Sequence, residues 1–174
     1  HFDKLDLAVF DIPIEDNEEV RKWLTWFMGP GHGIYQRWSD RGYRYQPMMK
    51  AALTQAGLPT DLVFLSMIES GYQIKATSRA SAGGLWQFMP ATGKRFNLKQ
   101  DYWVDERYDP EKALGAAIQY LTILYKKFDS WQIAWAAYNA GEGRMGKAIV
   151  GAGTRDFFEI AKTRQIVAET KRYV

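Results

Sequence analysis

The chain has 174 residues, of which 47% are hydrophobic and 25% are charged, a composition that excludes a disordered or fibrous segment and favours one globular domain. The formal net charge of +3 would help to hold an anionic polymer but is too small to indicate nucleic-acid binding. There is no cysteine, and His1 and His32 are the only histidines. We therefore expect no disulfide, no metal and no cofactor.

Near the N terminus, Asp16 and Glu19 form an acidic variant of a capping box and predict the start of a helix. Apolar residues follow at helical spacing: Val20, Trp23, Leu24, Phe27 and Met28. The glycines and proline of residues 29–31 predict the end of this helix.

The next glycines and proline predict two further short helices. One is expected over residues 33–41 and should stop at Gly42, and the other should begin at Pro47 and close at Gly57. Thr60 and Asp61 are then expected to cap a following helix.

The segment 62–68 is apolar almost all the way round, which predicts a buried helix that stops at Gly71. Residues 71–97 are expected to be irregular apart from a short helix that begins at Pro90. A cap, a first-turn proline and an acid over residues 109–111 predict another helix start, and more helices follow. No strand-like alternation exceeds three or four residues, so we predict an all-α domain.

Glu69 ends the apolar helix, so its carboxyl should emerge from the core. Partial burial would raise its pKa by disfavouring the anion, and such an acid can donate a proton to a leaving oxygen. An ordinary ion pair at a helix end fits the same position. No Asp or Glu occurs from Ser70 to Gln100, whereas most glycosidases need two carboxylates. If Glu69 is catalytic, it must act without a partner from the adjoining loop.

Four blocks of sequence occur in order: residues 69–72 (ESGY), 78–93 (SRASAGGLWQFMPATG), 137–143 (AYNAGEG) and 169–174 (ETKRYV). Together they resemble the signature of lytic transglycosylases with the goose-type lysozyme fold. Segment 14–23 resembles, more loosely, the membrane-bound D-type subgroup. The resemblance implies one lysozyme-like catalytic domain and an N-terminal helical extension packed on it, which we place at residues 47–174 and 1–46.

The resemblance also implies a reaction, the cleavage of the β-1,4 bond between N-acetylmuramic acid and N-acetylglucosamine in peptidoglycan. Glu69 would protonate the glycosidic oxygen and then, as a base, take the proton of the muramoyl C6 hydroxyl. A 1,6-anhydro ring would form and no water would be consumed. This chemistry suits the absence of a nearby second acid.

Further substrate-binding residues are assigned by their match to the second block. Ser78 would lie near the acetamido group, and Gln87 would hydrogen-bond the sugar next to the cut. Trp86 and Met89 would line the groove, although a position in the core suits Trp86 equally well.

The third and fourth blocks supply the remaining assignments. Tyr138 and Asn139 would orient the muramoyl residue and support Glu69, while Asn139 and Gly141 also fit a plain helix C-cap. Tyr173 would hydrogen-bond the catalytic carboxyl, and Glu169 would anchor the closing helix.

The chain departs from the family pattern at three places, none of which removes a catalytic group. Tyr72 stands where Phe is common, Gly83 precedes a glycine where a bulkier residue is found, and residues 167–168 are Val-Ala instead of Leu-Pro. The second and third departures could reshape the groove around the substituents of the glycan.

Two other functions remain open. A lysozyme-type muramidase of the same fold would hydrolyse the bond and would need a second carboxylate, for which Asp101, Asp105 and Glu142 are candidates. A non-catalytic glycan-binding domain would not need to keep Glu69.

The expected partner is the peptidoglycan glycan strand, with no role for nucleic acid. Cell-wall-binding LysM modules, and a signal peptide or lipid anchor, are expected outside this sequence. We expect a monomer in the periplasm or cell envelope.

Overall fold

The computed structural model describes residues 10–174, so the first nine residues of the predicted extension, His1 among them, lie outside it. The described residues form helices and isolated β-bridges, which confirms the all-α prediction. The helices are α1 (Glu18–Met28), α2 (His32–Gln55), α3 (Val63–Ser70), α4 (Pro90–Arg95), α5 (Pro110–Phe128), α6 (Trp131–Ala140), α7 (Glu142–Ala152), α8 (Phe157–Lys162) and α9 (Ala168–Tyr173), with single 3₁₀ turns at Thr60–Leu62 and Glu106–Tyr108.

The chain folds as two compact units, His1–Ala116 and Ala117–Val174. In the first unit α2 packs against α1 and α3, and in the second α6 packs against α7 and α9. The boundary between the units falls inside α5. The boundary at residue 46 that the resemblance suggested separates an N-terminal extension from a catalytic domain. It is a different division from that between the two compact units, and it stays a prediction.

Helix α1 is capped by Asn17 and not, as predicted, by Asp16. The Asn17 side-chain oxygen accepts a hydrogen bond from the Val20 N–H at 3.0 Å. The Asp16 carboxylate instead forms an ion pair with Arg21. Asparagine and aspartate both cap helices well. Here the Asp16 carboxylate is paired with Arg21, and the cap is therefore Asn17.

A single helix, α2, replaces the two that were predicted with a stop at Gly42. Gly42 is buried inside the helix, and a β-carbon there would lie 2.6 Å from the Tyr72 ring. This glycine therefore permits close packing and does not end the helix. Pro47 also lies inside the helix and deprives the Tyr43 carbonyl of its usual donor. Because Tyr43 is exposed, water can serve that carbonyl.

Thr60 and Asp61 do not cap the buried helix as predicted, since a 3₁₀ turn leads directly into α3. The Asp61 carboxylate accepts a hydrogen bond from the Ile12 N–H at 2.9 Å. The Thr60 hydroxyl donates to the Asp11 carboxylate at 2.7 Å. Both side chains therefore hold the segment before α1 against the start of α3.

The segment between α3 and α4 is irregular, and Pro90 begins α4, both as predicted. Arg107, only 7% exposed, organises this segment. Its guanidinium donates to the Ser81 carbonyl at 2.6 Å and to the Phe88 carbonyl at 2.9 Å, and pairs with Asp105 at 2.7 Å. Hydrogen bonding to Arg107 also holds the pKa of Asp105 below its usual value.

Three of the later helices begin at a capping side chain, which was predicted for α5. The Asp109 side chain accepts hydrogen bonds from two N–H groups in the first turn of α5, both at 3.0 Å. Ser130 caps α6 through the Ile133 N–H, and Asp156 caps α8. Gly153, with a positive φ of 66°, ends α7.

We expect Gly42→Ala to lower the free energy of unfolding by about 1–3 kcal/mol, because the new methyl group would overlap the buried Tyr72 ring. Urea unfolding followed by circular dichroism measures this. The control is Gly115→Ala in α5, where a β-carbon meets nothing within 4 Å, and this change should stabilise the protein by up to about 1 kcal/mol. Equal effects of the two substitutions would contradict the packing role of Gly42.

Arg107→Lys should lower the free energy of unfolding by about 2–4 kcal/mol, because lysine keeps the charge but lacks the fork that serves Ser81, Phe88 and Asp105 together. The same unfolding experiment applies. Lys162→Ala removes an exposed ion pair with Glu159 and should leave stability unchanged. An Arg107→Lys variant as stable as the parent would show that the guanidinium does not organise the segment.

Candidate active site

Glu69 lies in the last turn of α3 and is half-buried. The helix ends at Gly71, as predicted, and both Gly71 and Tyr72 have a φ of 56°. Two successive left-handed residues thus turn the chain sharply just after Glu69. A β-carbon on Gly71 would lie 2.5 Å from the Trp38 indole nitrogen, so both backbone angle and space require glycine here.

The turn after Glu69 is held from one side by α2. The buried Tyr72 hydroxyl donates to the Val63 carbonyl and accepts from the Gln46 side-chain amide, both at 3.0 Å. Burial raises the pKa of Tyr72 to about 12. The Arg41 guanidinium donates to the Gly71 carbonyl at 3.3 Å. The hydroxyl by which Tyr72 departs from the family's phenylalanine therefore ties α2 to the two ends of α3.

The second block holds α3 from another side. The Ser66 hydroxyl donates to the Leu85 carbonyl at 3.0 Å. The Ser70 hydroxyl oxygen lies 3.0 Å from the same carbonyl and 3.1 Å from the Ser66 carbonyl, and shares one proton between them. Both serines are buried. Because they are four residues apart, they lie on one helix face, and they fix Glu69's helix to the glycine-rich segment.

Ser78 and Gln87, which are predicted to bind the sugar, lie in this segment. Each already makes hydrogen bonds within the protein. The Ser78 hydroxyl accepts from the Ala82 N–H at 3.0 Å and is exposed. The Gln87 side chain donates to the Ala76 and Gly84 carbonyls at 3.1 and 2.8 Å. Since both bonds come from the amide nitrogen, a sugar would meet the amide oxygen of Gln87.

Trp86 and Met89 differ in what they offer to a ligand. Trp86 is 0% exposed, whereas Met89 is 43% exposed at the start of α4. The burial supports the core interpretation of Trp86 and corrects its assignment to the groove. A flat indole is large enough to support the glycine-rich segment from within the core.

The glycine pair of the second block makes room for the chain of Arg107 and Tyr108. A β-carbon on Gly84, whose φ is 79°, would lie 1.9 Å from the Arg107 carbonyl oxygen, and one on Gly83 would lie 2.9 Å from the Tyr108 ring. The Tyr108 hydroxyl is 2.7 Å from that of Thr77. The space beside Gly83 is therefore occupied by the Tyr108 ring, and the expected effect of the glycine pair on the groove stays a prediction.

The other predicted site residues lie in the second unit. The Asn139 side-chain oxygen, near the end of α6, accepts from the buried Thr170 hydroxyl in α9 at 2.8 Å. Gly141, not Asn139, is the C-cap of α6. The Tyr138 ring packs against the Tyr120 ring at a tilt of 37°, with centroids 5.2 Å apart.

Helix α9 carries the last two predicted residues. Glu169 is exposed in its first turn, where the helix dipole favours an acid. Tyr173 is half-buried at its last position. The bond between Thr170 and Asn139 docks this short helix on α6.

The three candidates for a second carboxylate all have structural partners. Asp101 accepts hydrogen bonds from the backbone of its own loop, Asp105 pairs with Arg107, and Glu142 lies 3.2 Å from the Lys127 ammonium. Between residues 10 and 174 no group of three or more histidines, aspartates and glutamates is placed to hold a metal ion.

Comparisons with known proteins agree with this architecture. The family model described as "Transglycosylase SLT domain" matches residues 46–161. Membrane-bound lytic murein transglycosylase D of Escherichia coli strain K12 is 37% identical over 139 residues, which are 77% of this chain and 30% of that protein. A putative tributyltin chloride resistance protein of Alteromonas sp. strain M-1 is 37% identical over 124 residues, 68% of this chain and 60% of that one.

Solved structures show the same fold. The 70-kDa soluble lytic transglycosylase in complex with bulgecin A superposes with a TM-score of 0.59 at 26% identity, and the Escherichia coli enzyme of that name with 0.58 at 26% identity. Each match covers 78% of this chain and 22% of the other. The chain thus spans less than a third of the length of these transglycosylases. It has their lysozyme-like helical fold and belongs to the transglycosylase SLT domain family.

Proposed function

We propose that this protein is a peptidoglycan lytic transglycosylase in which Glu69 is the catalytic acid and base. The observation that carries the proposal is the position of Glu69. Within the matched region it lies in the last turn of α3, a helix that is buried on one face and exposes Phe64 and Ile68 on the other, and hydrogen bonds from Tyr72, Arg41, Ser66 and Ser70 fix that helix. A reacting carboxyl needs such a rigid support.

The proposed reaction has two steps that share the one carboxyl group. Glu69 donates its proton to the oxygen of the β-1,4 bond as the bond to C1 of N-acetylmuramic acid breaks, with the substrate's N-acetyl group assisting. The Glu69 carboxylate then takes the proton of the C6 hydroxyl as O6 bonds to C1. The product carries a 1,6-anhydro ring, the acid is restored, and no water is used.

The residues of the first unit are proposed to hold the sugars beside the cut. Ser78 lies in an exposed loop and would approach the acetamido group. Gln87 would accept a hydrogen bond through its amide oxygen, because its nitrogen is engaged with the Ala76 and Gly84 carbonyls. Met89 offers an exposed apolar surface that suits one wall of a groove.

The residues of the second unit are proposed to orient the muramoyl sugar and the catalytic carboxyl. Tyr138 and Asn139 would do the first. Tyr173 would donate a hydrogen bond to Glu69, and Glu169 would anchor α9. The bond between Thr170 and Asn139 supports this set, since it fixes α9 relative to α6.

The substrate is proposed to be the glycan strand of peptidoglycan, met by a monomer in the periplasm or cell envelope. Relatives are named membrane-bound and soluble lytic murein transglycosylases. Among the described helices none is long and apolar enough to cross a membrane. We propose that LysM modules and a signal peptide or lipid anchor lie outside this sequence, and that residues 1–46 are an extension of a catalytic domain over 47–174.

The hydrolytic alternative needs a free second carboxylate. Hydrogen bonding to Arg107 and Lys99 lowers the pKa values of Asp105 and Asp101, and Glu142 pairs with Lys127. These partnerships favour structural roles for the three acids and therefore favour the transglycosylase.

Glu69→Gln should reduce turnover of peptidoglycan by more than about 10²-fold, because the amide can neither donate nor accept the proton. Glycan binding and the unfolding transition should remain close to those of the parent. Glu111→Gln, an exposed acid in the first turn of α5, is the matched control and should keep full activity. Undiminished turnover by Glu69→Gln would refute the assignment.

Digestion of purified peptidoglycan should release muropeptides with 1,6-anhydro ends, each lighter by one water than its hydrolysed counterpart. Mass spectrometry of the products measures this. Reducing ends alone would instead establish the muramidase, and bound but uncut strands would establish a non-catalytic glycan-binding domain.

A further inference from the structure

Two aromatic side chains between α4 and α5 are almost fully exposed. Tyr102 and Trp103 are 88% and 86% exposed, and their rings meet edge to face with centroids 4.8 Å apart. Large aromatic residues are normally buried, and a grouped exposed pair marks an interaction surface more often than a single one does. We call Tyr102 and Trp103 the aromatic pair.

The loop that carries the aromatic pair is held in one conformation. The Asp101 carboxylate accepts hydrogen bonds from the Trp103 and Val104 N–H groups, both at 2.8 Å. The Asp101 N–H donates to the Val104 carbonyl at 2.8 Å, and Gln100 and Asp105 form a β-bridge. The two rings are therefore presented on a closed, ordered turn, and little conformational entropy is lost when they bind a ligand.

Both ends of this loop are fixed to the chain that flanks Met89. The Gln100 side chain donates to the Pro90 carbonyl at 2.9 Å, and the Arg107 guanidinium donates to the Phe88 carbonyl at 2.9 Å. Three residues of chain reach at most about 11 Å, so the Trp103 backbone lies within that distance of Gln100. The aromatic pair thus has a fixed position relative to Met89 in the same unit.

Two possible partners of an exposed aromatic pair are a sugar chain and a membrane surface. Residues 99–112 contain five acids and three bases. Anionic bilayers attract basic segments and repel acidic ones, so this loop is poorly suited to a bilayer. An aromatic face has an apolar surface that fits the C–H face of a pyranose ring, whereas the carboxylates beside the pair are engaged within the protein.

We propose that Tyr102 and Trp103 form an accessory glycan-binding surface that holds the peptidoglycan strand beyond the sugars that flank the cut bond. This inference rests on the proposed function for its substrate class. It assigns the pair to strand binding and to no part of the chemical step. Because the pair lies beyond the sugars that flank the cut bond, it contacts long strands and not short ones.

The test compares the double variant Tyr102→Ala, Trp103→Ala with the parent on two substrates, long peptide-free glycan strands and a muramoyl tetrasaccharide. The KM for long strands should rise about tenfold, equivalent to about 1.4 kcal/mol, while kcat changes less than twofold. Neither constant should change for the tetrasaccharide. Tyr43→Ala is the matched control, since Tyr43 is 85% exposed on α2, and should leave both substrates unaffected.

A second measurement keeps this inference separate from the proposed function. In the Glu69→Gln background, the double substitution should weaken binding of the long strands about tenfold, whether or not the parent protein cuts them. An unchanged KM and unchanged binding would overturn the inference, and so would an equal loss on the tetrasaccharide. Loss of co-sedimentation with phosphatidylethanolamine–phosphatidylglycerol vesicles, with glycan binding intact, would overturn it in favour of a membrane contact.

Discussion

Two carbonyls of the irregular glycine-rich segment, those of Ser81 and Phe88, accept hydrogen bonds from the Arg107 guanidinium. From one position it reaches Ser81 and Phe88, which lie on either side of Gln87's turn, while Asp105 balances its charge. The shape of the segment therefore depends on an arginine from outside it. The proposed contacts of Ser78, Gln87 and the aromatic pair with a sugar therefore depend on the hydrogen bonds of Arg107.

The position of Glu69 depends in turn on that segment. The Leu85 carbonyl is the acceptor by which α3 is attached to it, and Tyr72 and Gly71 attach the same helix to α2. Few of these bonds involve the residues that would touch substrate. The supporting residues are buried polar groups in an otherwise apolar setting, where each unmet hydrogen bond is costly, so the support is both specific and rigid.

The sequence allowed the helical class, the stop at Gly71 and the starts of α4 and α5 to be predicted, because these depend on local patterns. Gly42 and Pro47 led to the wrong prediction of two helices where there is one. Glycine occurs both at helix ends and at sites of close packing, and only the neighbouring Tyr72 ring shows that Gly42 is of the second kind. For Trp86 a groove and the core suited the sequence equally well, because an aromatic residue gives no local sign of its exposure, and the structure buries it. Arg107 was missed although it stands between acids in the run DERYD. Its partners are 19 and 26 residues away, beyond any helical or strand period.

The hydrogen bonds that α2 makes have a consequence for how such proteins are divided into modules. The family match begins at residue 46, in the middle of a helix that starts at His32. Arg41, Gly42 and Trp38 precede that boundary, yet they contact the turn that follows Glu69. The segment covered by the family model is thus shorter than the piece that folds around the acid. Recombination, in a genome or in the laboratory, would preserve the site only by carrying α2 whole.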